Sequence, residues 1–240
     1  LVFGPNGHLY AGGNFSNAGG VEVNHVARWD GASWHPLGSG MNGGVASMVF
    51  DADASLYVGG SFDNAGGTAA GHVARWDGIS WHPLGAGTDG SVLALSMGQD
   101  GLLYAGGYFT IAGGMVVNRI ASWDGTSWYP LGTGVYGFVN ALAAGIDGSV
   151  YAAGNFLYAG GVLAHLVARW DGGAWHALGT GLGESPYPSY VSDLAIDTAG
   201  ELWAAGSFGT AGGKPSTYVA VWSPTAMSWF LPVIRRRVDH

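Results

Sequence analysis

The chain has no cysteine, few charges and no long apolar run, and each shortage removes a class of protein. Without cysteine there is neither a disulfide nor a thiolate metal site. Lys and Arg number 8 against 16 Asp and Glu, a net charge of −8, so the clustered cations that phosphate binding needs are missing. The only basic run is Arg235, Arg236 and Arg237, and no nucleic-acid partner is expected. Nothing approaches the roughly 18 to 20 uninterrupted apolar residues of a membrane span, and no signal-peptide pattern opens at Leu1. A soluble protein with no membrane partner is expected.

What is abundant is glycine, at 45 residues, together with 13% aromatics and 48% hydrophobic residues. Glycine costs about 1 kcal/mol per helical position relative to alanine, whereas aromatic and β-branched residues fit a pleated, half-buried surface. Disordered chains lack the apolar content to offset ordering entropy, and this chain has it. The composition predicts an all-β domain with many tight turns.

One phrase occurs five times: LYAGGNFSNAGG from Leu9, LYVGGSFDNAGG from Leu56, LYAGGYFTIAGG from Leu103, VYAAGNFLYAGG from Val150 and LWAAGSFGTAGG from Leu202. A second phrase follows each, as in HVARWDGASWHPLG at 25–38, and its tryptophan recurs as Trp29, Trp76, Trp123, Trp170 and Trp222, at spacings of 47, 47, 47 and 52. A fixed period of that length is one supersecondary unit. Alternation and turn signals predict four strands per unit, in the second unit at 45–50, 55–62, 72–77 and 80–85, joined by short Asp-Gly or Asp/Asn-rich turns.

Such a sheet carries apolar residues on both faces and cannot bury both alone. Stacking the units face to face around an axis solves that problem. The expectation is an all-β, five-bladed β-propeller with four antiparallel strands per blade. It forms one domain over 1–234, with blades at 1–40, 41–87, 88–134, 135–181 and 182–234.

A second strand ending in Gly-Gly with an aromatic beside it, a third ending in Asp and a Trp opening the fourth resemble kelch-like repeats of the galactose-oxidase type. The longer ARWDGxSWxxLGxG and GxLYAGGxFxxAGG phrases resemble repeat arrays of bacterial secreted and fungal cell-surface proteins. The resemblance implies a propeller fold and a bacterial secreted or cell-surface parent. It does not select a function, because such propellers host enzymes, lectins and docking platforms alike. Two enzyme classes fit poorly: the galactose oxidase cofactor requires a cysteine, and a sialidase needs an arginine cluster where only Arg119 escapes the repeat.

Leu1-Val2-Phe3 aligns with Met48-Val49-Phe50, and the segment from Ile234 departs from every repeat. A fragment of a longer array is expected, with residues 235–240 a vector-derived tail. Closure would then rest on packing between blades one and five, and a homodimer through that seam is expected.

Residues that recur in several blades are read as structural. Asp30, Asp77, Asp124 and Asp171 stabilise a turn, Arg28, Arg75 and Arg169 stack on tryptophan or pair with acids, and His35, His82 and His176 fill an aromatic packing position shared with Tyr129 and Phe230. Residues that vary between blades are the site candidates. His25, His72 and His165 enter the third strands on one rim and could bind a zinc-like divalent metal with help from Glu22, Asp89 or Asp193. The connection at 181–193 is five residues longer than its counterparts; its Glu184, Tyr187 and Tyr190 with Tyr136 and Phe138 either form an aromatic wall or cover the axial channel, and Arg119, at the position of His25, is a further ligand-binding candidate.

Three readings follow. In the first the ring is a scaffold binding a small molecule, a carbohydrate (glycan) or a protein ligand at that face. In the second it is a metal-assisted hydrolase of an ester or phosphoester. In the third it is a spacer with no ligand.

Overall fold

The computed structural model describes residues 1–183 and 188–231, and the described residues contain strands and turns but no helix. The predicted tail lies outside them. Five antiparallel sheets follow one another along the chain, each built on a path of four strands, with a fifth short strand, Val162–Leu163, added to the second strand of the fourth sheet. The first is Val2–Phe3, Leu9–Gly12, Val26–Trp29 and Trp34–Pro36. The second is Val45–Phe50, Leu56–Gly60, Val73–Trp76 and Trp81–Pro83. The third, fourth and fifth open with Val92–Met97, Val135–Ala144 and Tyr190–Ile196 and close with Trp128–Pro130, Trp175–Ala177 and Ser228–Phe230. In every sheet sequence order is spatial order.

Local chemistry explains the hairpins. Asp30 Oδ1 accepts from the amides of Ala32 and Ser33, both at 2.8 Å, and Asp77, Asp124 and Asp171 repeat the arrangement. The carboxylate replaces the partners that backbone amides lose in a tight turn. The long connection between second and third strands contains a hairpin of its own, as in Asn64–Ala65 with Thr68–Ala69. Its turn residues Gly66 and Gly67 have φ of +60° and +82°, a conformation that glycine adopts without steric cost. The phenylalanine just ahead of the hairpin, Phe62, Phe109, Phe156 or Phe208, is fully buried and anchors it.

Packing between sheets uses two repeated devices. Glycine in the second strand allows close approach: a Cβ on Gly12, Gly59 or Gly106 would run into Val45, Val92 or Val139 of the next sheet. Farther out, each fourth-strand tryptophan reaches back to the preceding sheet. The Nε1 of Trp81, Trp128, Trp175 and Trp229 donates to the carbonyls of Leu37, Leu84, Leu131 and Leu178 at 2.8–2.9 Å. A buried indole N–H needs such a partner. The four core clusters accordingly lie between sheets one and two, two and three, three and four, and four and five.

Closure is where the structure departs from expectation. Among the described residues no core cluster joins the fifth sheet to the first. Leu1 is 86% exposed and Phe3 72%, whereas Leu95, Leu142 and Leu194, which align with Leu1, are each under 10%. At the other end Trp203 is 37% exposed where its counterpart Tyr151 is 3%. Among the described residues the predicted seam between blades one and five is therefore not packed.

Candidate functional site

The fourth sheet is unlike the others. Its first two strands, Val135–Ala144 and Val150–Ala159, run for ten residues each, and their outer halves form a ribbon in which Tyr136 pairs with Tyr158 and Phe138 with Asn155. Register shifts at Tyr136/Gly137 and Val139/Ala141 twist it. Gly137, with φ +134°, lies against the carbonyl of Asn155 and has no room for a Cβ. The ribbon walls a cleft of about 740 Å³ whose floor and sides include Arg119, Asn118, Thr110, Tyr136, Phe138 and Tyr158.

Arg119 is the cation of this cleft. It has φ +75° and is clamped by its own backbone, its N–H donating to the Phe109 carbonyl and its carbonyl accepting from Gly107. Its Nη1 donates to the Tyr108 carbonyl at 2.5 Å, and its guanidinium carbon lies 5.2 Å from the centre of the Phe138 ring. Tyr108 meets the same ring edge to face at 4.4 Å. Tyr108 thus supports the Phe138 ring on which the charge rests, and Tyr136, 82% exposed, and Tyr158 line the cleft beside them.

Of the predicted site residues, Arg119, Tyr136 and Phe138 come together here. Tyr190 does not line the cleft: it pairs with Ser207 at the start of the fifth sheet. Glu184 and Tyr187 lie outside the described residues.

The histidines expected to share a metal stay apart. His25, His72 and His165 belong to three different sheets, and among the described residues no group of three His, Asp or Glu side chains is close enough to hold an ion. His25 and His72 each bury Nδ1 without a partner. Of the carboxylates expected to help, Asp89 has both oxygens engaged by Thr110 and Ile111, and Glu22 pairs with Asn17 in an exposed hairpin. The entry positions to the third strands vary for a backbone reason. His25, His72, Arg119, Leu166 and Tyr218 all have φ between +69° and +75°, which disfavours β-branched residues and leaves the rest of the side chain free to differ.

Comparison with known proteins bears on the fold. Residues 4–29 match the family described as "Domain of unknown function (DUF5122) beta-propeller". No curated protein sequence matches the chain. Among solved structures, PorZ, a surface component of the type-IX secretion system of Porphyromonas gingivalis, is 12% identical with a TM-score of 0.56 over 94% of this chain and 32% of its own. A streptogramin B lyase is 10% identical with a TM-score of 0.55 over 98% and 68%. YCF48 bound to a D1 peptide is 16% identical with a TM-score of 0.50 over 90% and 63%. The fold is a β-propeller fold. The chain spans between about a third and two thirds of the length of these structures, and at such identities the likeness extends to architecture alone.

On the β-propeller frame the remaining histidines also find their place. His35, His82 and His176 do not fill an aromatic packing position. Each Nε2 lies 2.6 Å from Oδ2 of the turn aspartate, Asp30, Asp77 or Asp171. In the third sheet the position carries Tyr129, and the Ser127 and Thr126 amides together with Tyr129 lower the Asp124 pKa. Where the turn has no aspartate, at Ser223-Pro224-Thr225, the position carries Phe230. Ser33 and Ser80 Oγ also lie 3.1 Å from the same Nε2. A nucleophilic triad needs serine and aspartate on opposite ring nitrogens, so these are turn clasps. Tyr158, which lines the cleft, and Tyr108, which packs against the Phe138 ring, are the residues that sequence reading missed. Both depart from their repeat counterparts, such as Ser61 and Asn64, so the comparison between repeats that singled out Tyr136 and Phe138 contained their signal too.

Proposed function

We propose that the chain is a binding scaffold and that the cleft beside the fourth sheet's ribbon holds its ligand, a carbohydrate or a peptide segment of a protein. The observation that carries this reading is the stacking of Arg119 on Phe138, a ring backed by Tyr108, in a cleft that Tyr136 and Tyr158 also line. Aromatic faces accept the C–H faces of sugar rings and the side chains of extended peptides. A guanidinium held in place directs its free N–H groups at a carbonyl or carboxylate. A peptide-bound neighbour of the same fold agrees with the second ligand class. The five sheets are read as blades of a kelch-like propeller, and the surface-associated neighbour supports a secreted or cell-surface parent. The alternative, a metal-assisted hydrolase, requires His25, His72 and His165 to share an ion, and no observation favours it.

Glycan and peptide arrays probed with the whole chain, followed by titration of any hit, test the proposal. Binding that disappears in Tyr136→Ala and Phe138→Ala supports it. No hit on either array, or a hit untouched by both substitutions, overturns it.

A further inference from the structure

The chain holds two Asn-Gly pairs, Asn6-Gly7 and Asn42-Gly43, and the fold treats them differently. Asn42 lies between the first and second sheets, where its Oδ1 accepts from the backbone amides of Asp63 and Asn64, both at 2.9 Å. Two N–H donors can face only the oxygen of a carboxamide, which fixes the orientation of the side chain. Asn42 is exposed, and among the described residues its Nδ2 has no partner and the Gly43 amide has no acceptor. At Asn6 the same groups are engaged elsewhere. Its Oδ1 accepts from one amide, that of His8 at 3.1 Å, its Nδ2 donates to the Tyr10 hydroxyl at 3.1 Å, and the Gly7 amide donates to the Gly4 carbonyl at 2.9 Å.

We infer that Asn42 is a self-modification site, which the fold converts to aspartate. The Gly43 nitrogen gives up its proton to water and bonds to Asn42 Cγ, unhindered because glycine has no Cβ, and an electron pair of the Cγ=O bond moves to Oδ1. The Asp63 and Asn64 amides stand where that oxyanion develops, and one such donor is worth about 10²–10³ in rate. Collapse of the intermediate closes a succinimide ring and expels Nδ2, which takes up a proton and leaves as ammonia. Water then adds to the same polarised Cγ, the bond from Cγ to the Gly43 nitrogen breaks, and that nitrogen recovers its proton. The main chain is restored, with water consumed and ammonia released. Because the donors polarise Cγ and not the main-chain carbonyl, the product is aspartate rather than β-linked isoaspartate.

The third sheet already carries the product. Met41 bridges Ala65 as Thr88 bridges Ala112, so Asn42 corresponds to Asp89, whose Oδ1 accepts from the amides of Thr110 and Ile111 at 2.7 and 2.8 Å. A carboxylate accepts from amides more strongly than a carboxamide does. Conversion therefore tightens the joint between the entry to the second sheet and its hairpin.

The test is peptide mass mapping of the intact chain after incubation at neutral pH in heavy-oxygen water, folded and in urea. The expected result is similar conversion of Asn6 and Asn42 in urea. In the folded chain Asn42 converts at least about tenfold faster than Asn6, with heavy oxygen in its new carboxylate and aspartate as the main product. Folded Asn42 that converts no faster than folded Asn6, or that yields mainly isoaspartate, overturns the inference. Asn42→Asp gives an independent readout: it is expected to unfold at a higher urea concentration than freshly prepared wild type, and a lower midpoint overturns the inference because the joint then rejects the product. Neither asparagine lines the cleft, so the outcome is separate from ligand binding there.

Discussion

Arg119 holds its guanidinium carbon 5.2 Å from the Phe138 ring centre while its Nη1 donates to the Tyr108 carbonyl at 2.5 Å. The ring therefore has two functions, as a wall of the cleft and as the support that positions the cation. Phe138→Ala removes both. Its expected cost to folding is about 0.5–1 kcal/mol, that of a half-exposed cation–π contact, read from urea titration. Its cost to binding is larger, about 1–2 kcal/mol, or roughly a tenfold rise in Kd. A variant that loses stability without losing affinity would remove Phe138 from the binding surface.

The indole latches make a paired prediction. Trp81→Phe leaves the buried Leu37 carbonyl without its donor and is expected to destabilise by about 1–3 kcal/mol. Trp34→Phe removes an N–H that has no carbonyl partner among the described residues, and at low protein concentration it should cost less than about 0.5 kcal/mol. Denaturation of the two variants side by side is the measurement, and equal costs would show that the hydrogen bond is not what holds the sheets.

Close approach near the inner strands is tested by adding a single methyl group. In Gly106→Ala the new Cβ meets Val139 of the fourth sheet and crowds Leu142 behind it. Overpacking of this kind typically costs about 1–3 kcal/mol. The thermal midpoint should fall, and Val139→Ala in the same chain should recover part of the loss by making room.

Acid should weaken the turns before anything else. The amides of Ser33 and Ala32, and then His35, hold Asp30 well below the usual carboxylate range, and Asp77 and Asp171 are lowered by the equivalent groups. A carboxylate whose folded pKa is depressed contributes stability that is fully present above its unfolded value near 3.8. That contribution is lost as pH falls below this value. Urea midpoints should be level from pH 7 to 5 and decline below 4. Asp77→Asn should start lower and decline less steeply. An unchanged slope in that variant would locate the acid sensitivity elsewhere.

Much of this was legible in the residues because each unit writes the same instructions. The Asp-Gly turns, the period-two alternation around Leu56–Gly60 and the glycines opposite Val45, Val92 and Val139 act within or between adjacent units. Repetition shows which positions they occupy, and Arg119, Tyr136 and Phe138 stood out as departures from it. The clasp of His35 on Asp30 was not seen because the pair lies across a hairpin, and an imidazole is read equally well as a packed ring or as a donor.

Four strands to a unit, stacking through both faces and the aromatic character of one rim were determined by the amino-acid sequence, since propensity, turn chemistry and alternation are local. The curvature was decided only in three dimensions. Whether the fifth sheet reaches the first depends on the angle between neighbouring sheets, which is the sum of many small side-chain volumes and has no single residue to mark it. The same holds for the cleft: Arg119 and Phe138 are nineteen positions apart in different sheets, and only packing brings the charge over the ring.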